Sequence, residues 1–119
     1  MTKKKILIVD DSKFMRMFLI SILKRNKYED IIEAENGEQA IAKFKKEAPD
    51  LVLLDIIMPD ITGVDVLREI KKLNPRAKAI MVTSVGQEII LKECKALGAE
   101  GCIVKPFTEE GITSAIKKA

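Results

Sequence analysis

Histidine is absent from this 119-residue chain, and that absence excludes more than any other feature of its composition. With no side chain that titrates unperturbed near neutral pH, histidine-based acid–base catalysis and histidine-ligated metal sites are ruled out. Chemistry here must rest on carboxylates, lysine and hydroxyls. Tryptophan is also missing and Tyr28 is the one tyrosine, so a stacking platform for a flavin ring is poorly supplied. The two cysteines, Cys94 and Cys102, form neither a close metal pair nor a redox pair. In a domain large enough for a core they are expected to be reduced, buried thiols, with the cytoplasm as the compartment. No segment approaches the ~20 apolar residues that span a bilayer. The basic start Met1-Thr2-Lys3-Lys4-Lys5 is followed only by Ile6 to Val9 before two aspartates, so no export signal is expected.

What is present fits one soluble domain over residues 1–119: 47% of the residues are hydrophobic and 33% charged. The net charge of +3 is modest, and the lysines are scattered over helix faces and ends rather than gathered into a stripe. Neither nucleic acid nor a membrane is expected as a partner.

Five short apolar runs recur along the chain: Lys5 to Val9, Ile31 to Ala34, Leu51 to Leu54, Ala79 to Val82 and Gly101 to Val104. Each is of strand length. Between them lie amphipathic stretches with apolar residues at helical spacing, such as Phe14, Phe18, Ile22, then Ile41, Phe44, then Val64, Leu67, Ile70, with a closing set at Ile112, Ile116. Strands alternating with helices pair in parallel through right-handed crossovers, which predicts an α/β sheet covered on both faces. Punctuation agrees: Asn36-Gly37 before the second helix, Ala48-Pro49-Asp50 after it, Asn74-Pro75 after the third, Leu97-Gly98 closing the fourth. Thr108 with Glu109 and Glu110 reads as the N-cap and negative first turn of a fifth, and Lys117-Lys118 suits its other end.

In open α/β sheets, ligands bind beyond the carboxyl ends of the strands. Here those ends carry Asp10-Asp11, Asp55, Thr83-Ser84 and Lys105-Pro106. If the strand order is 2-1-3-4-5, strands one and three are neighbours and Asp10, Asp11 and Asp55 converge on one crevice. Like charges a few ångströms apart raise each other's pKa unless a cation is present, so a hard divalent ion is implied. Mg²⁺ suits such a site, because it takes oxygen ligands and bridges carboxylates to phosphoryl groups. Lys105 could compensate charge and pair with a phosphoryl oxygen. Singly, each residue has a plainer reading: Asp10-Asp11 and Asp60 as turn residues, Ser12 as a helix start, Lys105 as a solvated strand end, Thr83 as a β-branched strand residue. Jointly, four of five strand ends deliver phosphate-chemistry residues to one edge, which packing alone does not require.

The strings Ile6-Leu7-Ile8-Val9-Asp10-Asp11-Ser12, Asp55-Ile56-Ile57-Met58-Pro59-Asp60 with Gly63, Thr83-Ser84 and Val104-Lys105-Pro106-Phe107 resemble, in order and spacing, the response-regulator receiver domains of two-component signalling. The resemblance covers essentially the whole chain. It is nearest to the small single-domain chemotaxis regulators of the CheY type, since nothing follows the fifth helix and the first carries Phe14-Met15-Arg16-Met17. It implies a flavodoxin-like (CheY-like) doubly wound parallel sheet of five strands in the order 2-1-3-4-5 with five helices. It also implies Asp55 as phosphoacceptor, Asp11 and Asp55 as direct Mg²⁺ ligands with the carbonyl of Ile57, and Asp10 acting largely through water. Lys105 would pair with the phosphoryl group, its bond to Pro106 would be cis, and Thr83 would be the switch hydroxyl. The implied partners are a histidine kinase of the CheA-like kind and an output protein that binds the face of helix four, strand five and helix five after phosphorylation. The chain would act as a monomer and would catalyse only its own phosphorylation and dephosphorylation. A single-domain phosphorelay intermediate that passes phosphate to a histidine phosphotransfer protein remains the alternative.

Two positions depart from the family pattern. Cys102 stands where many members carry an aromatic switch residue, which shifts the expected moving element to the loop Ser84-Val85-Gly86. Ile57 and Val85 are apolar where other members often carry groups that orient water, so a long-lived acyl phosphate is expected. Rival classes fit less well. Asp10-Asp11-Ser12 is not the Asp-x-Asp of aspartate-nucleophile phosphatases, no Ser/Thr/Gly-rich loop follows strand one as in flavodoxin-like electron carriers, and no Gly-x-Gly-x-x-Gly of a dinucleotide fold is present.

Overall fold

The computed structural model describes residues 4–84 and 86–119. The chain alternates β1 (Lys5–Val9), α1 (Lys13–Arg25), β2 (Asp30–Ala34), α2 (Gly37–Glu47), β3 (Leu51–Asp55), α3 (Gly63–Leu73), β4 (Lys78–Thr83), α4 (Glu88–Ala96), β5 (Gly101–Val104) and α5 (Glu109–Lys118). All strand pairs are parallel and the order is β2-β1-β3-β4-β5, as the resemblance implied.

The unbroken apolar strands follow from burial on two sides. Leu7, Val9, Val52, Leu54, Ala79 and Met81 face a core closed by Ala40 and Phe44 of α2, Leu67 and Ile70 of α3, and Cys94 of α4. The alternate residues Ile6, Ile8, Leu51, Leu53, Ile80 and Val82 face Leu19, Ile22 and Leu23 of α1 and Ile112 and Ile116 of α5. A period of two thus divides the central strands β1, β3 and β4 between two cores, whereas β5 buries only Ile103. Helix starts are set by caps: the side chains of Ser12, Asn36, Thr62 and Thr108 each accept from a backbone N–H in the first turn of α1, α2, α3 and α5.

Several expectations are corrected. Phe14 and Phe18 do not belong to the buried stripe of α1: they are 78% and 40% exposed, while Leu19, Ile22 and Leu23 are buried. Phe18 instead stacks on Phe107, with ring centroids 5.5 Å apart. Cys94 is buried as expected but Cys102 is exposed, because β5 is an edge strand and that face of it has no full helix cover. β3 and β4 end on Asp55 and Thr83, the strand-end residues expected from the sequence. Among the described residues no helix is long and apolar enough to cross a membrane.

Candidate functional site

The carboxyl edge of the sheet brings the polar residues together through strand register. Val9 pairs with Leu54, which sets Asp10, the residue after β1, beside Asp55 at the end of β3. Thr83 ends β4 opposite Val104, and the Lys105 N–H donates to the Thr83 carbonyl at 2.7 Å. The Lys105–Pro106 bond is cis, as the resemblance implied.

Asp10, Asp11 and Asp55 each offer a carboxylate oxygen within 4.8 Å of the others. Asp10 and Asp55 are buried and Asp11 is exposed. The turn reading and the site reading of Asp10 both hold, one per oxygen: Oδ1 accepts from the Ser12 N–H at 2.9 Å, while Oδ2 is buried without a hydrogen-bond donor. The nearest cation to that orphaned oxygen is Lys105, whose Nζ lies 3.5 Å from it and 3.3 Å from Asp55 Oδ2. One ammonium against three carboxylates leaves the cluster short of positive charge. Burial accordingly holds the Asp55 carboxyl above its ordinary value, Lys105 opposes that, and the negative charge of Asp10 adds to it. An unsatisfied buried carboxylate oxygen facing two further carboxylates, with no nitrogen or sulfur donor among them, fits a hard oxygen-seeking divalent cation.

The loop from β3 to α3 is folded tightly against the acceptor. The Gly63 N–H donates to the Ile56 carbonyl at 2.6 Å. The Ile57 N–H approaches Asp55 Oδ1 at 3.4 Å, and Ile57 is 61% exposed. Asp60 is a turn residue rather than a ligand, and it does more than turn: its two carboxylate oxygens accept from the N–H groups of Gly37 and Glu38, capping α2 from another loop. Those bonds hold its carboxyl below the usual range. Thr83 is 1% exposed. Of the loop Ser84-Val85-Gly86, Val85 lies outside the described residues, and Gly86 has φ +97°, in the region that favours glycine.

Two residues near the site are given no role in the sequence reading. Arg16 is buried on α1, where Nη1 donates to the Asp10 carbonyl at 2.6 Å and Nε to Glu33 at 2.9 Å. It ties the β1–α1 corner to β2. Gln87, ahead of α4, binds Thr83 and Ser84 through one oxygen.

Residues 6–117 match the family described as response regulator receiver domain. The chain belongs to that family. This receiver domain is 45% identical to the chemotaxis protein CheY of Bacillus subtilis over 96% of its own length and 95% of that protein. It is 37% identical to sporulation initiation phosphotransferase F of the same organism, over 99% and 94%. Among solved structures it superposes with a TM-score of 0.90 at 34% identity on a chain of the CheX–CheY–BeF3–Mg complex from Borrelia burgdorferi, covering 95% of this receiver and 86% of that chain. As a receiver of the CheY group, the chain is a signalling phosphoacceptor with its acidic site at Asp10, Asp11 and Asp55.

Proposed function

We propose that residues 1–119 form one receiver unit that takes a phosphoryl group from the phosphohistidine of a kinase of the CheA-like kind onto Asp55, and that it signals in chemotaxis. In the transfer an Asp55 carboxylate oxygen attacks phosphorus, a P–O bond forms, and the P–N bond breaks with its electron pair returning to the donor imidazole. This chain needs no histidine of its own for that step. The observation that carries the reading is the convergence of the three carboxylates, Lys105 and Thr83 on one sheet edge, with the buried Asp10 Oδ2 unsatisfied.

Asp11, Asp55 and the Ile57 carbonyl would hold Mg²⁺ directly, with Asp10 reaching it largely through water. When bound, the ion supplies neutralisation of charge on the phosphoryl oxygens. Lys105 leaves its contacts with Asp10 and Asp55 to pair with a phosphoryl oxygen, and the Thr83 hydroxyl donates to another. The acyl phosphate adds negative charge and strong acceptors beside mobile donors, which biases the β4–α4 loop between two arrangements. With Cys102 at the usual aromatic position, the loop carries the switch and no ring reports it. The exposed Ile89, Cys102 and Val104 support the α4–β5–α5 face as the site for a phosphorylation-dependent output protein. The chain would act as a cytoplasmic monomer and catalyse only its own phosphorylation and dephosphorylation. The exposed, apolar Ile57, two residues beyond the acceptor, favours slow loss of phosphate, and Ile57→Asn would speed it.

The test is intact mass after incubation with acetyl phosphate, with and without Mg²⁺, alongside Asp55→Asn. A Mg²⁺-dependent gain of one phosphoryl group in the wild type alone supports the reading; no gain at any donor concentration removes it. A relay intermediate is the second reading. It is favoured by the likeness to sporulation initiation phosphotransferase F and by exposed Phe14 and Met17 on α1, and it requires return of phosphate to a histidine phosphotransfer protein.

A further inference from the structure

Four of the five helices are opened by a side chain that accepts from their own first turn, and α4 is the exception: Gln87 occupies its N-cap position and makes no such bond. Its carboxamide points backward along the chain. Oε1 accepts the hydroxyl proton of Thr83 at 2.5 Å and the N–H of Ser84 at 2.9 Å. The Ser84 carbonyl, 3.2 Å from Thr83 Oγ1, is a more distant alternative acceptor for the same proton. A threonine hydroxyl has a single proton to donate. Spent on Gln87, it is not available to an acceptor on Asp55.

We infer that Gln87 is a positioning residue that holds Thr83 and Ser84 in the resting arrangement, and that the Thr83 hydroxyl must leave Gln87 before it can bind a phosphoryl oxygen. The inference rests on the phosphoacceptor reading of Asp55 and adds to it the group that opposes the switch. One side chain thus joins the end of β4 to the residue that begins α4, so exchange of the Thr83 proton from carboxamide to phosphoryl group removes one of the two bonds that tie the start of that helix to the strand. Thr83 is buried, so both of its bonding states are made out of bulk water, where an unmade hydrogen bond is costly and the two acceptors compete directly. Gln87 is half-buried in a loop, so an apolar residue of similar size is tolerated there.

The experiment uses the full chain with saturating Mg²⁺ and titrates beryllofluoride, a phosphoryl-like anion, following backbone amides by NMR in wild type, Gln87→Leu, Thr83→Ala and the double variant, with Gln87→Ala as a second removal of the carboxamide. Gln87→Leu is expected to tighten binding by roughly three- to tenfold, the factor that corresponds to one net hydrogen bond. In the Thr83→Ala background the same change is expected to shift affinity by less than about twofold, because the competing proton is gone. Unchanged or weaker binding by both Gln87 variants, with native melting and spectra, overturns the inference, as does an equal gain in both Thr83 backgrounds. Wild-type protein that binds no beryllofluoride at all would instead strike at the phosphoacceptor reading, and the inference would go with it.

Discussion

A β-carbon added to Gly63 would stand 2.3 Å from the main-chain oxygen of Asp55 and 2.7 Å from Cα of Ile56. The loop that leaves the acceptor therefore returns onto its own base, and glycine is required there by space. Both obstacles are backbone, so nothing can rotate aside.

Gly63→Ala is accordingly expected to displace Asp55 or the start of α3. Overpacking of this kind costs about 1–3 kcal/mol, which urea unfolding would read directly. Phosphorylation by acetyl phosphate should slow in the same variant. Wild-type stability together with wild-type phosphorylation would mean that the loop relaxes freely.

Arg16 holds the Asp10 carbonyl from α1 and is itself held by Glu33. Arg16→Met keeps the apolar stem but removes the donor to a buried carbonyl, at an expected cost of about 2 kcal/mol. Calorimetric titration should also find weaker Mg²⁺ binding, since the corner bearing Asp10 and Asp11 loses its tie. Arg16→Lys should rescue only partly, because an ammonium lacks the fork that spans both partners. An unchanged Mg²⁺ affinity in Arg16→Met would limit this arginine to a packing role.

Burial, opposed by Lys105 and reinforced by Asp10, keeps the Asp55 carboxyl above its ordinary 3.8. Such a group binds its proton more tightly when folded than when unfolded. Its ionisation therefore subtracts stability as pH rises from about 3.8 through the folded value, and the loss is complete above that window. In metal-free buffer at neutral pH, Asp55→Asn should melt at a higher temperature than the wild type. The difference should close as pH falls below 3.8. Added Mg²⁺ should raise the wild-type midpoint more than that of the variant. A wild type that melts higher without metal would contradict the charge balance described here.

The two thiols should react at very different rates. Cys94 is fully buried, and burial with the neighbouring charge of Glu93 pushes its thiol up, whereas Cys102 is exposed on β5. Under native conditions a disulfide reagent should consume one thiol quickly, and Cys102→Ser should abolish that phase. Rapid loss of both thiols in folded protein would show that α4 opens easily.

The residues of the site were readable because their positions are set locally. Apolar runs mark strands, parallel pairing aligns their ends, and polar residues just beyond the runs share one edge. β3 and β4 include Asp55 and Thr83 as their last residues, because the main-chain ladder extends without regard to side-chain polarity. Asp10 shows why single-residue readings stayed open: a carboxylate has two oxygens, and here one makes the turn while the other belongs to the site.

The amino-acid sequence by itself determined the alternation of strands and helices, the helix starts at Ser12, Asn36 and Thr108, and the set of residues at the carboxyl edge. Tertiary structure alone decided which side of α1 is buried, since its apolar residues lie on two sides and periodicity does not say which one meets the sheet. The exposure of Cys102 followed from the edge place of β5, and the ties of Arg16 to Asp10 and Glu33, Asp60 to α2, and Gln87 to Thr83 likewise came only with the fold. The physical reason is the same in each case. A repeat along the chain records only neighbours in sequence, whereas a hydrogen bond or a covered face depends on which group the packed chain brings opposite.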